Sequence, residues 1–535
     1  MALLISCSTP SKTEVDLLIK NAVIYKVDDE FATASAMAIK DGKIVAIGHG
    51  EDVINKYTSK QVYDAEGKTI IPGFIDAHAH LYSHGLKKFN VNLVGSESVD
   101  EVLQRILDFH KENPTNYIRG YGWDQNKWNN KNFPTKELLD SFFPNIPVVL
   151  SRIDGHALWV NSNALDLAEI NSSTKMSGGE VILSDGEPTG ILIDAPMQLV
   201  YDAFPKPDRR TEILALLEAE KEVFSYGLTT VVDAGLDRGI VELIDSLHRT
   251  GDLKLKVYAM LNNTPENRKH FLEVGVSQTQ RLNIRSFKVF TDGALGSRGA
   301  LMKKEYSDMP GHYGFLVTPL DSLEYLANLL ATTDFQMNAH AIGDSANCSL
   351  LRIYNSALKD LEDKRWRIEH AQVISPGDFD YFSDNIIPSV QPTHATSDMY
   401  WAENRIGTER MKGAYAYQTL LSKSGRIALG TDFPVEAINP MYTFYSAVVR
   451  KDLHQYPADG FYKEEALSRE QALRGMTIWA AYANFEEEEK GSLEVGKWAD
   501  FIILDKDLMK VDDDQLPMIK VLKTYVNGEK VFDRK

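Results

Sequence analysis

Six side chains in this sequence have the types and spacing to hold a metal ion. Two of them close the stretch Pro72-Gly73-Phe74-Ile75-Asp76-Ala77-His78-Ala79-His80. It reads as a short buried strand ending in His-x-His. Alternate side chains of a strand share a face, so His78 and His80 point the same way. Neutral imidazole is a common ligand of zinc and similar ions. Alone, the pair reads equally as one core histidine beside one exposed one. Other short apolar runs decide between these readings, because they end alike. Phe287-Lys288-Val289-Phe290 carries Lys288, and Asn338-Ala339-His340 ends in His340. Arg367-Ile368-Glu369-His370 ends in His370, and Leu429-Gly430-Thr431-Asp432 ends in Asp432. A chance scatter of 13 histidines over 535 residues would rarely put four there.

These residue types suit hydrolysis. Two divalent ions roughly 3.5–4 Å apart can share a bridging hydroxide. His78 and His80 would hold one ion, and His340 and His370 the other. Asp432 would bind a metal and act as general base toward the attacking water. Lys288 reads two ways. Its ammonium would repel the ions, but capped by carbon dioxide it becomes an anionic carbamate bridge. Otherwise it is an unmodified, buried salt-bridge partner. Glu369 precedes His370 and should face away from the site, in a structural ion pair. Trp123, Asp124, Arg152, His156 and Asp292 are candidate substrate contacts, with packing or chain turning as the alternative for each. Trp128, Tyr313 and Trp401 suggest an apolar or aromatic substrate group, or a packed core. His370 or His156 would help stabilise an oxyanion.

Composition narrows the classes. The only cysteines, Cys7 and Cys348, exclude a disulfide framework and a thiolate zinc site. Any metal is held by nitrogen and oxygen. A net charge of -18 argues against a nucleic-acid surface and leaves a small-molecule substrate as the expected partner. Oligomeric state is not legible. No apolar run is long enough to span a bilayer. Leu4-Ile5-Ser6-Cys7 is similar to a bacterial lipoprotein cleavage box, but the stretch before it is too short for a signal sequence. Residues 1–14 are therefore expected to be a tether or the remnant of a lipoprotein signal. The protein belongs to the cell envelope if Cys7 is lipidated, and otherwise to the cytoplasm.

Particular elements must position these residues. Residues 15–71 read as β-structure, with Asp41-Gly42 between apolar runs as a hairpin signal. The same style returns at residues 490–535, with the hairpin Asn527-Gly528, so both chain ends are expected to form one β-sandwich. Between them, 72–489, eight β runs alternate with helical segments: Phe74 to His80, Thr229 to Asp233, Lys256 to Met260, Phe287 to Phe290, Gln336 to His340, Arg367 to His370, Ile387 to Gln391 and Ile427 to Thr431. That pattern predicts an α/β fold, a TIM-type (β/α)8 barrel whose site lies at the C-terminal strand ends. Capping boxes at Ser98 and Ser468 open two of the helices. The long gap after the first strand predicts an inserted subdomain over 113–206, suited to a lid or to plain packing.

The chain resembles the amidohydrolase superfamily, and within it the amidohydrolase-3 branch that includes N-substituted formamide deformylases. The resemblance rests on Pro72 to His80, Asp292-Gly293-Ala294-Leu295-Gly296-Ser297-Arg298, Asn338-Ala339-His340-Ala341-Ile342-Gly343-Asp344, Arg367 to Gln372, and Gly430-Thr431-Asp432-Phe433-Pro434-Val435. It implies metal-dependent hydrolysis of a non-peptide C–N bond with one or two divalent ions, zinc foremost. It carries over to His78, His80, His340, His370 and Asp432, and more weakly to Lys288. The rivals are an esterase, a non-hydrolytic reaction on the same frame, and a silent envelope binding protein. The last should lack ligands or the base, and neither is missing.

Overall fold

The computed structural model describes residues 12–535 apart from 154–156, 177–178, 195 and 297. Cys7, His156 and Ser297 lie outside the described residues. Eight parallel strands form one barrel: β1 (Phe74–Ala79), β2 (Leu228–Leu236), β3 (Lys256–Asn262), β4 (Leu282–Phe290), β5 (Gln336–Ala341), β6 (Trp366–His370), β7 (Ile386–Val390) and β8 (Ala428–Leu429). Each pairs in parallel with the next along that order. They read as apolar runs because a parallel sheet is covered on both faces. All of β1, β5 and β6 is buried. The crossover helices turn one apolar stripe inward. Helix Leu320–Ala331 buries Leu323, Leu326, Ala327 and Leu330 at helical spacing.

β8 is shorter than the expected run to Thr431, and the reason lies at the seam. No ladder joins β8 to β1. Instead Asp432 N–H donates to the His78 carbonyl at 2.7 Å, and His80 N–H to the Phe433 carbonyl at 2.8 Å. The Asp76 carboxylate accepts from Thr431 N–H at 3.0 Å and from its hydroxyl at 2.7 Å. A Cβ on Gly430 would fall 2.5 Å from the His78 nitrogen, so only glycine allows this approach.

The two chain ends share a sheet: Phe501–Leu504 pairs antiparallel with Thr69–Pro72, and both contribute to one core with Leu17, Met37 and Tyr525. Both expected hairpin turns form. Asp41 and Gly42 have φ of 51° and 75°, and Asn527 and Gly528 of 50° and 72°, as a two-residue turn with positive φ at both positions requires. Thr13–Glu14, within the span 1–14, pairs in parallel with Tyr57–Thr58. Ser468 makes a full capping box with Gln471. Ser98 makes half of one: it accepts from Glu101 N–H, while Glu101 turns to Glu97 N–H and Arg105.

Residues Tyr82–Glu218 form a second compact unit around a six-stranded sheet. It is wider than 113–206 because Val91–Asn92 pairs with Ile118–Trp123, and helix Val99–Glu112 packs Val102, Leu103 and Ile106 into the same core. Among the described residues, no helix is long and apolar enough to cross a membrane.

Candidate active site at the barrel rim

The C-terminal strand ends bring His78, His370 and Asp432 together, with one ligand atom from each within 4.8 Å of the others. The remaining predicted ligands ring this trio. His80 Nε2 lies 3.2 Å from Asp432 Oδ1, and Lys288 Nζ 3.2 Å from His78 Nε2. The His340 ring stands 4.6 Å from that of His370, while its Nε2 faces the Gly293 carbonyl at 3.4 Å.

Second partners aim these imidazoles. His78 Nδ1 donates to Glu369 at 2.5 Å, which turns its Nε2 toward Lys288 and Asp432. Glu369 makes the expected ion pair, with Arg367 Nε at 2.8 Å, but it does not face away from the site. His370 Nδ1 lies 2.7 Å from Gln391 Oε1 and is fixed the same way. The backbone bends sharply here. His370, Ala371 and Asp432 have φ of 72°, 41° and 61°, a region non-glycine residues occupy at a cost.

Electrostatics suit a cation. Burial, with Lys288 close by, pushes His78 down to about 4. Burial pushes His340 down to about 3 and holds His370 well below the usual range. All three are neutral, as ligands must be. Burial works to raise Asp432, but the hydrogen bond from His394 and the close approach of His80 outweigh it and hold the carboxyl well below the ordinary range. Asp432 Oδ1 is buried and lacks a hydrogen-bond partner, since His80 is near it without the alignment of a hydrogen bond. Neutral imidazoles around an orphaned carboxylate oxygen form a donor set that fits a divalent ion such as zinc.

Sequence reasoning missed His394. It sits in the first turn of helix Pro392–Asp398, directly after β7, with Nδ1 3.0 Å from Glu436 and Nε2 3.4 Å from Asp432 Oδ2. Burial works to lower it, yet its bonds to Asp432 and Glu436 raise it to about 10. The usable signal was its place, one residue beyond Pro392 and Thr393 at the end of a barrel strand.

Other expected contacts are corrected. Trp123 is fully buried in the core of the second unit and donates its indole N–H to the Leu150 carbonyl at 2.8 Å, so no substrate reaches its face. Arg152 pairs with Asp124 at 2.9 Å and with Gln125 at 2.9 Å, a structural clasp. Asp292 is buried and accepts from the N–H groups of Leu301, Ile342 and Gly343 at 2.8, 3.0 and 2.8 Å. These bonds shape the turn after β4 and occupy both oxygens with backbone donors. A cavity of about 370 Å³ opens over the ligand trio, walled in part by Phe290, Leu295, Trp401 and Glu436.

The model of a family described as "Amidohydrolase family" matches residues 61–532. Among curated proteins, the chain is 34% identical to Protein LONG AFTER FAR-RED 3 of Arabidopsis thaliana, over 98% of this chain and 93% of that one. It is 27% identical to the N-substituted formamide deformylase of Arthrobacter pascens, over 97% of this chain and 98% of that one. Among solved structures, an uncharacterized metal-dependent hydrolase of Pyrococcus horikoshii superposes with a TM-score of 0.81 at 27% identity, covering 93% of this chain and 99% of that one.

Proposed function

Because this chain belongs to the amidohydrolase family, we propose that it hydrolyses the C–N bond of a small amide or formamide with the help of a bound divalent ion. His78, His370 and Asp432 would hold the ion, with His80, His340 and Lys288 available to extend the site to a second one. Such an ion, zinc being the natural choice for this donor set, polarises a carbonyl and makes water acidic. The orphaned Asp432 Oδ1 between neutral imidazoles carries this reading.

The chain's own residues supply the rest. Asp432 takes a proton from the attacking water and returns it to the leaving nitrogen, so one carboxylate serves as base and then as acid. His394, braced by Glu436, holds Oδ2 and so leaves Oδ1 facing His78 and His80. Glu369 and Gln391 fix the ring orientations of His78 and His370. Lys288 would join the ligands as a carbamate, formed when its neutral amine adds carbon dioxide and releases a proton. The relative that is a formamide deformylase favours an amide-type bond over an ester.

The test is elemental analysis of freshly purified protein, together with matched amides and esters offered at equal leaving-group basicity. Bound metal and faster amide turnover are expected. Protein without metal, or one that cleaves only the esters, would overturn the proposal. Intact-protein mass, measured with and without added bicarbonate, tests Lys288.

A further inference from the structure

We propose that the cavity selects uncharged substrates whose non-reacting substituent is flat and apolar and lies against Trp401, and that it rejects substrates carrying a second anionic group. This inference rests on the hydrolytic reading above and deepens it.

One wall of the cavity is apolar: Phe290, Leu295, Ile342, Trp401 and Val435, each following the end of a strand or standing on it. Trp401 is held in place rather than free to swing. A Cβ on Gly296 would lie 3.5 Å from the outer edge of its ring, so the loop after β4 runs close along that edge. The Arg405 guanidinium lies 5.6 Å from the ring centroid. Arg405 also donates to the Gly296 carbonyl at 3.1 Å and pairs with Asp308 at 2.5 Å. Asp308 accepts two bonds from Arg298, at 3.1 and 2.8 Å. Two arginines sharing one carboxylate thus tie the loop after β4 to helix Ala402–Ile406. A rigid indole is a low-entropy surface for a second ring.

The polar wall is already satisfied, and it is acidic. Asp398 accepts from the Tyr415 hydroxyl at 2.7 Å and from Gln372 at 3.1 Å. Glu436 accepts from His394 at 3.0 Å and from Ser397 at 2.6 Å. A carboxylate or phosphate on the substrate would face Asp398 and Glu436. No guanidinium lines the cavity among the described residues, and its basic groups Lys288 and His394 are already engaged, with His78 and with Asp432 and Glu436. An anionic substituent would lose its water and have to compete with Asp398, Asp432 and Glu436 for donors that they already hold.

The experiment uses the metal-loaded full chain and amides that share one reacting carbonyl and differ in the distant substituent: methyl, cyclohexyl, benzyl and carboxymethyl. Benzyl should exceed methyl in kcat/KM by roughly tenfold to a hundredfold, mostly through KM, with carboxymethyl the poorest. Trp401→Ala should bring the benzyl-to-methyl ratio within about threefold while metal content stays at the parent level. Asp308→Asn, acting through Arg405, should lower the same ratio part of the way, and Asp308→Glu should restore it. A flat series, a preference for carboxymethyl, or an unchanged ratio in Trp401→Ala would overturn the inference. If no member is cleaved, the hydrolytic reading fails by itself. Calorimetric binding of the same four amides then still judges the wall by their order of affinity.

Discussion

The barrel rim and the core of the second unit draw on similar residue types, and they differ in how their polar atoms end. In the second unit Trp123 packs against Trp128 and Trp159 with ring centroids 6.1 and 6.3 Å away. Each indole N–H reaches a carbonyl, of Leu150, Ser96 and Thr135, at 2.8, 3.1 and 3.0 Å. Arg152 closes on Asp124. The accounting closes in neither region, since Ser96 Oγ and Arg119 Nε of the second unit are also buried without partners, but at the rim the open atoms stand among candidate metal ligands. Asp432 Oδ1 and both side-chain polar atoms of Asn338 are buried without partners, and three non-glycine residues take positive φ. What sets the rim apart is the coincidence of an open carboxylate oxygen, candidate ligands and strained backbone, held at a cost in stability.

The sharpest way to break this contrast is at Asp432. Asp432→Asn keeps the shape and removes the base. It should lower kcat by at least about a hundredfold and as much as ten-thousandfold, with metal retained by elemental analysis. Activity near the parent level would strip Asp432 of its role. The matching change in the other region is Trp123→Ala. Truncating a buried tryptophan there should cost about 3–5 kcal/mol in denaturant unfolding. If the change instead raised KM and left stability intact, Trp123 would be a substrate contact after all.

The contrast also explains what the sequence made legible. His78, His80, His340, His370 and Asp432 could be read because they sit at strand ends, where a period of two fixes direction. His394 could not, because it stands in a helical first turn with no such rule. Trp123 could be read as a substrate contact or as packing, because an aromatic residue serves either, and only the strand Ile118–Trp123 burying it in a core decides for packing. The start of the second unit was hidden because Val91–Asn92 is a two-residue strand, too short for any periodic pattern. The Asp41-Gly42 and Asn527-Gly528 turns were legible because their chemistry is local. Asp292 looked like a site residue by position, and only its three backbone donors show it to be a turn clasp.

A smaller effect sharpens the rim side of the comparison. Glu369 is held on both sides, by a bond to His78 and by an ion pair with Arg367 that leaves its Oε1 without an aligned donor, and so resembles a core ion pair while serving the site. Glu369→Gln preserves volume but weakens the hold on His78 Nδ1. Metal affinity should fall about tenfold to a hundredfold, measured by competition with a chelator, with a lesser change in unfolding. Equal metal affinity in the variant would reduce Glu369 to a structural ion pair.

The weakest effect probes whether an orphaned buried atom marks function by itself. His248 lies on helix Arg238–Thr250, its Nε2 donating to the Leu255 carbonyl at 2.9 Å, next to the N-terminal end of β3 and away from the rim. Its Nδ1 is buried without a partner, and burial pushes its pKa down to about 4 from an ordinary 6.5. Because the folded value lies below the unfolded one, the unfolded chain takes up the proton first. The stability that neutral His248 contributes is complete above pH 6.5, declines as the pH falls, and is gone below about 4. His248→Gln keeps a donor for Leu255 and cannot titrate. Between pH 6.5 and 4 the parent should lose stability faster than the variant, by at most about 1.4 kcal/mol per pH unit and less where water reaches the ring. Chemical denaturation across that range, with metal content and turnover at neutral pH held as controls, measures the difference. Parallel acid limbs would mean that water already serves Nδ1. A loss of turnover in the variant at neutral pH would mean that even a solitary orphan, with no candidate ligand beside it, serves the site.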